Sequence, residues 1–137
     1  MVYDRGGMSV NPTKDPRMVP PPGGVLQRLR VLCLSLPETR ERSSWGHPNF
    51  RAGKKTFVTF ERVHGRPSIA FRLEHADIER LTRRKQFFAT PYGRGLWISL
   101  WTDVPVNWHV VGDLVLRSYR LVALKRMIAA LESTSRQ

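Results

Sequence analysis

Several features that define whole classes of protein are scarce or missing in this chain. It has one cysteine, Cys33, which excludes an internal disulfide and any multi-cysteine zinc site. Charged residues such as Arg28 and Arg30 interrupt the apolar runs, so we expect no transmembrane helix. The N-terminus also lacks the continuous apolar core and small-residue cleavage site of a signal peptide. Together these absences predict a cytoplasmic protein.

Acidic residues are scarce as well, because 11 Asp and Glu stand against 23 Lys and Arg, for a net charge of +12 at pH 7. The first 24 residues contribute almost nothing to this excess, since their charged side chains nearly cancel: Arg5, Lys14 and Arg17 against Asp4 and Asp15. The excess therefore belongs to the folded part of the chain. A domain this basic attracts polyanions through its electric field, with nucleic acid the first candidate and an anionic membrane the second.

The chain divides by composition into a leader, one domain and a tail. Residues 1–24 hold five of the ten prolines and four of the ten glycines with almost no apolar periodicity, which predicts a flexible leader. A chain of 137 residues has room for one domain with a real core. We place that domain at 25–132, which leaves 133–137 as a short tail.

Apolar periodicity predicts a helix, three strands, a helix, a strand and a final helix. In chain order these are a helix over 25–36, strands near 45–50 and at 56–60 and 67–73, a helix over 74–86, a strand over 95–101, and a helix capped by Asn107. Local hairpins with helices at both ends of the chain are typical of the α+β class. We therefore expect one antiparallel sheet of about four or more strands packed against helices.

The stretch SSWGHPNF, residues 43–50, places a histidine beside a tryptophan and is a candidate site. Pro48 favours an extended backbone at His47, and Gly46 permits a sharp bend. We therefore predict a bend between two strands, with Trp45 and Phe50 packed into the core on either side. We expect the His47 imidazole to be hydrogen-bonded inside this turn, and a contact to a ligand or a phosphate is the alternative.

Three blocks of the sequence resemble, in order and spacing, those of the MmcQ/YjbR-like family of small bacterial proteins. The blocks are LRVLCLSLPETRERSSWGHPNFRAGKKTFVTF, FFATPYGRGLWISL and SYRLVALKR, and the resemblance spans residues 26–131. It implies a CyaY-like α+β fold and DNA binding through a so-called double-wing arrangement of hairpins. One departure is Leu124, where related sequences often have proline, and leucine there would let the last helix continue.

Two groups of basic side chains are the candidates for contacts with DNA phosphates. The first group lies in the predicted turns and loops: Lys54, Lys55, Arg62, Arg66 and Arg94. The second group lies on one face of the second predicted helix: Arg80, Arg83 and Arg84. Cations also populate the exposed turns of any soluble protein and complement the dipole at helix C-termini, so a purely solvated role is the alternative.

Charge, basic turns and the resemblance together predict a DNA-binding protein that contacts mainly phosphates, with little sequence specificity. The alternative is a non-enzymatic module for an acidic protein or a small ligand, which an exposed patch of Trp45, Trp97 and Trp101 would favour. The histidines do not have the HxH or HExxH spacing of a zinc site, and no Gly-x-Ser-x-Gly motif marks a catalytic serine. The first helix also lacks the cluster of acidic side chains that iron binding would require. We expect no enzyme, catalytic residue, metal, cofactor or membrane contact, although His47 in an open pocket beside a polar partner would favour an enzyme.

Overall fold

A computed structural model describes residues 24–135 of this chain. The chain divides between Val31 and Leu32 into two units. The described part of the first unit, residues 24–31, is mostly the beginning of the first helix. Apart from Gly24, the predicted flexible leader lies outside the described residues, as do the last two residues of the predicted tail.

Within the described range, the chain forms four helices and six strands, and its first four strands are an antiparallel meander. The helices are α1 (Val25–Leu34), α2 (His75–Leu81), α3 (Trp108–Val122) and α4 (Lys125–Ser135). The strands are β1 (Thr39–Ser44), β2 (His47–Ala52), β3 (Lys55–Val63), β4 (Arg66–Arg72), β5 (Phe87–Ala89) and β6 (Trp97–Trp101). None of these helices has both the length and the apolarity to cross a bilayer.

The six strands form one antiparallel sheet in the order β1-β2-β3-β4-β6-β5. The predicted α+β class, with a single antiparallel sheet and helices at both ends of the chain, is therefore confirmed. The predicted N-terminal cap of α3 is also confirmed, because the Asn107 side chain accepts hydrogen bonds from the backbone N–H groups of His109 and Val110.

One face of the sheet carries the core and packs against α3. The pairing of β2 with β3 shifts register near Phe50, which leaves Phe57 as an extra residue in β3. Such a bulge lets Phe57 and Val58 both point toward the helix side of the sheet. The buried Phe57 ring meets Tyr119 of α3 edge-on, with ring centroids 5.7 Å apart. The bulge thereby concentrates aromatic packing at the centre of the core.

The tight turns of the meander alternate between the two ends of the sheet. Trp45–Gly46 and His64–Gly65 have positive φ at both residues, as type I′ hairpin turns require. The turn at Gly53–Lys54 lies at the opposite end, because successive antiparallel strands run in opposite directions. At about 3.3 Å per residue, the length of β3 separates these two ends by roughly 25 Å.

The structure corrects the prediction that Trp45 packs into the core. Its side chain is 95% exposed, because the residue occupies the tip of the β1–β2 hairpin. Phe50, on the other side of the turn, is fully buried as expected. Strand register places Trp97 on the face of the sheet opposite to Phe57.

The second predicted helix is shorter than its sequence pattern indicated. α2 ends at Leu81 rather than at Gln86, and a turn leads from there into β5 at the edge of the sheet. The helix ends early because the chain has to become extended at Phe87, which is buried as the first residue of β5. Arg83 and Arg84 therefore lie beyond α2 and do not share a helical face with Arg80.

The last helical region breaks in two although leucine replaces the proline that is common in related sequences. Ala123 adopts an extended backbone, with φ −69° and ψ 149°, so α3 and α4 are separate helices. Leu124 thus does not make the last helix continuous.

Candidate functional site

A basic groove lies along the β1–β2 hairpin, beside the junction of α3 and α4. Its volume is about 720 Å³. Six of its lining residues are cationic, namely Arg40, Arg42, Arg51, Lys54, Lys55 and Arg126. Glu38 is the one acidic residue among those that line it. We use the name basic groove for these seven residues.

Most of the positive charge in the basic groove is not neutralised by the protein. Arg126 binds Glu38 through two hydrogen bonds of 2.8 and 3.0 Å, which hold the pKa of the Glu38 carboxyl below its usual value. Four exposed cations of the groove form no ion pair within residues 24–135, namely Arg40, Arg42, Lys54 and Lys55. The Arg51 Nε atom is buried and has no hydrogen-bond partner among those residues. An anion in the groove would neutralise the four exposed cations.

The strand register also brings two positive charges of this groove close together. Arg40 of β1 lies directly opposite Arg51 of β2. Like charges in directly opposite positions of an antiparallel pair destabilise the sheet. A sequence choice that disfavours its own fold is typical of a functional site.

The other predicted phosphate-binding residues of the hairpin turns lie at the far end of the sheet, and both are engaged. Arg62 donates a hydrogen bond of 2.6 Å to the Gly65 carbonyl of its own turn. Arg66 forms two hydrogen bonds with Asp103, of 2.7 and 2.8 Å, and its guanidinium lies over the Trp101 ring. These bonds hold the pKa of the Asp103 carboxyl below its usual value. The exposed tryptophan patch considered from the sequence is therefore interrupted at Trp101.

The remaining predicted cations are also distant from the basic groove. Arg80 pairs with Asp77 on α2, at 3.0 Å. Arg83 and Arg84 are exposed in the turn before β5, and β5 is the edge of the sheet opposite to β1. At about 4.8 Å per strand, the two edges are roughly 24 Å apart. Arg94 lies exposed in the loop before β6. Among the predicted cations, the structure therefore brings only Lys54 and Lys55 into the basic groove.

A second cavity opens on the face of the sheet that is turned away from α3. Its volume is about 470 Å³. Aromatic and polar side chains line it, and they come from β1, the β1–β2 turn, β2, β3, the loop before β6 and β6 itself: Ser44, Trp45, His47, Asn49, Thr56, Thr59, Glu61, Tyr92 and Trp97. We use the name aromatic cavity for this set.

The carboxylate of Glu61 is the polar centre of the aromatic cavity. It is only 6% exposed, and its Oε1 atom lies 3.4 Å from His47 Nε2. Its Oε2 atom accepts a hydrogen bond from the Tyr92 hydroxyl. Partial burial, and then this hydrogen bond, raise the pKa of Tyr92 above its usual value, so the phenol remains a donor. The predicted hydrogen bond of His47 within its own turn is wrong, because the imidazole faces Glu61 on β3.

Two other buried polar side chains face the aromatic cavity. Asn49 is buried, and Thr59 is 7% exposed. The Thr59 Oγ1 atom has no hydrogen-bond partner among the described residues, although the Thr59 side chain acts to lower the pKa of Tyr92. A buried hydroxyl without a partner costs about 1–3 kcal/mol. A polar ligand in the cavity would recover part of this cost.

His47 also meets the condition under which the sequence would favour an enzyme, since it lies in an open cavity beside a polar partner. Within residues 24–135, no hydrogen bond joins the imidazole to the hydroxyl of Ser44. The same residues contain no group of three or more side chains suited to holding a metal ion.

Comparison with known proteins decides the family. A family model described as YjbR matches residues 34–121, a range that includes all six strands. The chain belongs to the YjbR family. The resemblance seen in the sequence is thereby confirmed. A comparison with curated proteins finds no match.

Two solved structures share the fold of this YjbR-family protein. The Deinococcus radiodurans protein DR2400, described with the family-model domain DUF419, has a TM-score of 0.65 at 17% sequence identity, over 79% of this chain and 88% of that one. A protein from Pseudomonas syringae has a TM-score of 0.53 at 15% identity, over 61% of this chain and 86% of that one. At such low identities the likeness shows a common fold and nothing further.

Gly93 fixes the loop that carries Tyr92 over the aromatic cavity. A Cβ atom at this position would lie 2.4 Å from Cδ1 of Trp97. We expect Gly93→Ala to displace the Trp97 ring and to destabilise the YjbR-family protein by about 2 kcal/mol more than Gly95→Ala does. Gly95 is the matched control, because its φ is also positive but a Cβ there meets nothing within 4 Å. Urea unfolding of both variants measures the difference, and equal losses would contradict this view of the loop.

Proposed function

We propose that this YjbR-family protein binds DNA, and that phosphate groups occupy the basic groove. The observation that carries the proposal is the opposed pair Arg40 and Arg51, with a buried Arg51 Nε atom that lacks a partner. Lys54 and Lys55 enlarge the same positive surface from the adjoining turn. A phosphate beside the two guanidinium groups would offset the repulsion between the two arginines.

The chemistry of the groove favours a polymer of phosphates over an isolated anion. Duplex DNA carries one negative charge per about 1.7 Å of its axis, and each neutralised phosphate releases bound counterions. Several unpaired cations along one groove can therefore act together on successive phosphates. Contacts to phosphate fix the position of a protein on DNA but read no bases, so the affinity should depend strongly on salt and weakly on sequence.

The cations that the sequence indicated contribute unequally under this proposal. Lys54 and Lys55 are exposed and unpaired, so their full charge is available to DNA. Arg62 and Arg66 already donate to acceptors within the protein, and a phosphate would have to displace those bonds. We therefore expect the β2–β3 turn to contribute more than the β3–β4 turn.

Direct binding of duplex DNA at low salt tests the proposal. We expect fluorescence anisotropy to give an affinity at least about tenfold tighter than that of an unrelated folded protein with the same net charge of +12, because the groove arranges its cations for phosphate contact. Two duplexes of unrelated sequence should bind within about threefold of each other. An affinity no tighter than that of the charge-matched protein would contradict the proposal.

A further inference from the structure

The aromatic cavity combines exposed ring surface with buried hydrogen-bonding groups that phosphate binding in the basic groove does not use. We propose that this cavity binds a single nucleobase, either in a free nucleoside or unstacked from a strand whose phosphates lie in the groove. The strand-bound form rests on the proposed function, whereas binding of the free nucleoside does not.

The rings at the cavity provide a surface for stacking. Trp45 is almost fully exposed, and its backbone is left-handed, with φ +53°. Asparagine or glycine adopts this turn position more readily than tryptophan does. An exposed indole at an unfavourable turn position is better explained by a contact outside the fold than by the stability of the hairpin. Trp97 lines the same cavity, and bases of any sequence stack favourably on such rings.

The polar groups of the cavity match the edge of a base that carries an amino group. A carboxylate has about four acceptor positions, and Tyr92 and His47 face only part of those on Glu61. The Asn49 amide offers a donor and an acceptor side by side, and the Thr59 hydroxyl offers a buried group without a partner.

This donor and acceptor pattern discriminates between bases. Cytosine, adenine and guanine present amino hydrogens that a carboxylate can accept. The Watson–Crick edge of thymine instead places a carbonyl oxygen on each side of its single N–H, and these oxygens would be repelled by Glu61. We therefore expect the aromatic cavity to prefer deoxycytidine to thymidine.

The aromatic cavity lies next to the basic groove along one hairpin. Arg42, which lines the groove, lies directly opposite Asn49, which lines the cavity. Ser44, also in the cavity, follows Arg42 by two residues on the same face of β1, or roughly 7 Å. A phosphate at Arg42 and a base in the cavity can thus belong to the same nucleotide or to neighbouring ones.

Calorimetric titration with deoxycytidine and with thymidine tests the cavity directly. We expect Trp45→Asn to weaken deoxycytidine binding about tenfold, because the stacking ring is lost while asparagine suits the turn. The matched control is His64→Asn, which makes the same replacement at the corresponding position of the other type I′ turn, outside the cavity. It should bind deoxycytidine as the wild type does. Equal affinities of the two variants would overturn the proposal.

A second variant tests the polar centre without removing a ring. Glu61→Gln keeps the size of the side chain and replaces one acceptor oxygen by a donor, so it should abolish the preference for deoxycytidine over thymidine. A preference that persists in Glu61→Gln, in a variant that unfolds like the wild type in urea, would overturn the assignment of Glu61.

Reversal of charge in the basic groove distinguishes base binding in the aromatic cavity from phosphate binding in the groove. The double variant Lys54→Glu/Lys55→Glu should bind deoxycytidine normally but bind a short single-stranded oligodeoxycytidine at least about tenfold more weakly. If the oligonucleotide affinity is unchanged while Trp45→Asn still weakens nucleoside binding, the groove proposal fails and the cavity proposal stands. If only the oligonucleotide responds, and only to the groove variant, the cavity proposal fails. Weakening of oligonucleotide binding by Trp45→Asn supports the strand as the source of the base.

Discussion

Replacement of Lys54 and Lys55 together by glutamate is expected to weaken binding of duplex DNA about 50-fold at low salt. A unit charge about 4 Å from a phosphate is worth about 1 kcal/mol in a water-like dielectric, and reversal of its sign adds repulsion. Both lysines are exposed and have no ion pair within the described residues, so their loss is not offset elsewhere. Because glutamate is shorter than lysine, its charge lies farther from the phosphate and adds only a small repulsion, so the two changes together cost about 2.4 kcal/mol, which corresponds to that ratio of dissociation constants. Fluorescence anisotropy with a fixed duplex measures it.

The control for this variant makes the same change in net charge at a distant place. Arg83→Glu/Arg84→Glu alters the edge of the sheet opposite to the basic groove. If DNA lies in the groove, this variant should lose no more than about threefold, through the weaker overall field. Equal losses in the two variants would mean that net charge, and not the groove, governs the affinity. A larger loss in the arginine variant would move the interface to the end of α2.

The largest effect on stability is expected for Phe57→Ala, which should lower the free energy of unfolding by about 4 kcal/mol. Phe57 is fully buried at the bulge in β3, and its ring packs edge-on against Tyr119. Its removal leaves a cavity between the sheet and α3, which the rigid surroundings can fill only in part. Since domains of this size are stable by about 5–15 kcal/mol, the loss is a large fraction of the total. Urea unfolding monitored by circular dichroism measures it.

Phe60→Ala is the matched control for the core. Phe60 is on the same strand and on the same face of the sheet, but it is only partly buried. Its truncation should therefore cost clearly less, about 1–2 kcal/mol. If the two variants lose the same stability with the same dependence on urea, Phe57 is not the centre of the core.

Much of the fold can be predicted from the sequence because its signals are local. The turn residues at Gly53 and Gly65 mark two of the hairpins, and Asn107 marks the beginning of α3. The position of Trp45 could not be predicted in this way, because hydrophobicity indicates a buried tryptophan as readily as one at a hairpin tip. The end of α2 depended on where β5 joins the sheet, which is a tertiary constraint.

The candidate site depends more strongly on contacts between distant residues. Arg66 looked available in the sequence, but its partner Asp103 lies 37 residues away, and nothing local signals that pair. Arg40 and Arg51 could have been found, because a turn at Trp45–Gly46 fixes the register that places them opposite each other. Trp45–Gly46 is difficult to identify as a type I′ turn from the sequence, because tryptophan is uncommon in such turns.

The salt dependence of DNA binding is the measurement that tests most directly whether the basic groove holds phosphates. The slope of log K against log salt concentration changes by about 0.9 for each phosphate contact. We predict that Lys54→Ala/Lys55→Ala makes this slope shallower by about 1.8, while Arg83→Ala/Arg84→Ala leaves it unchanged within about 0.5. A slope that is the same in the lysine variant and in the wild type would show that phosphates do not bind in the basic groove.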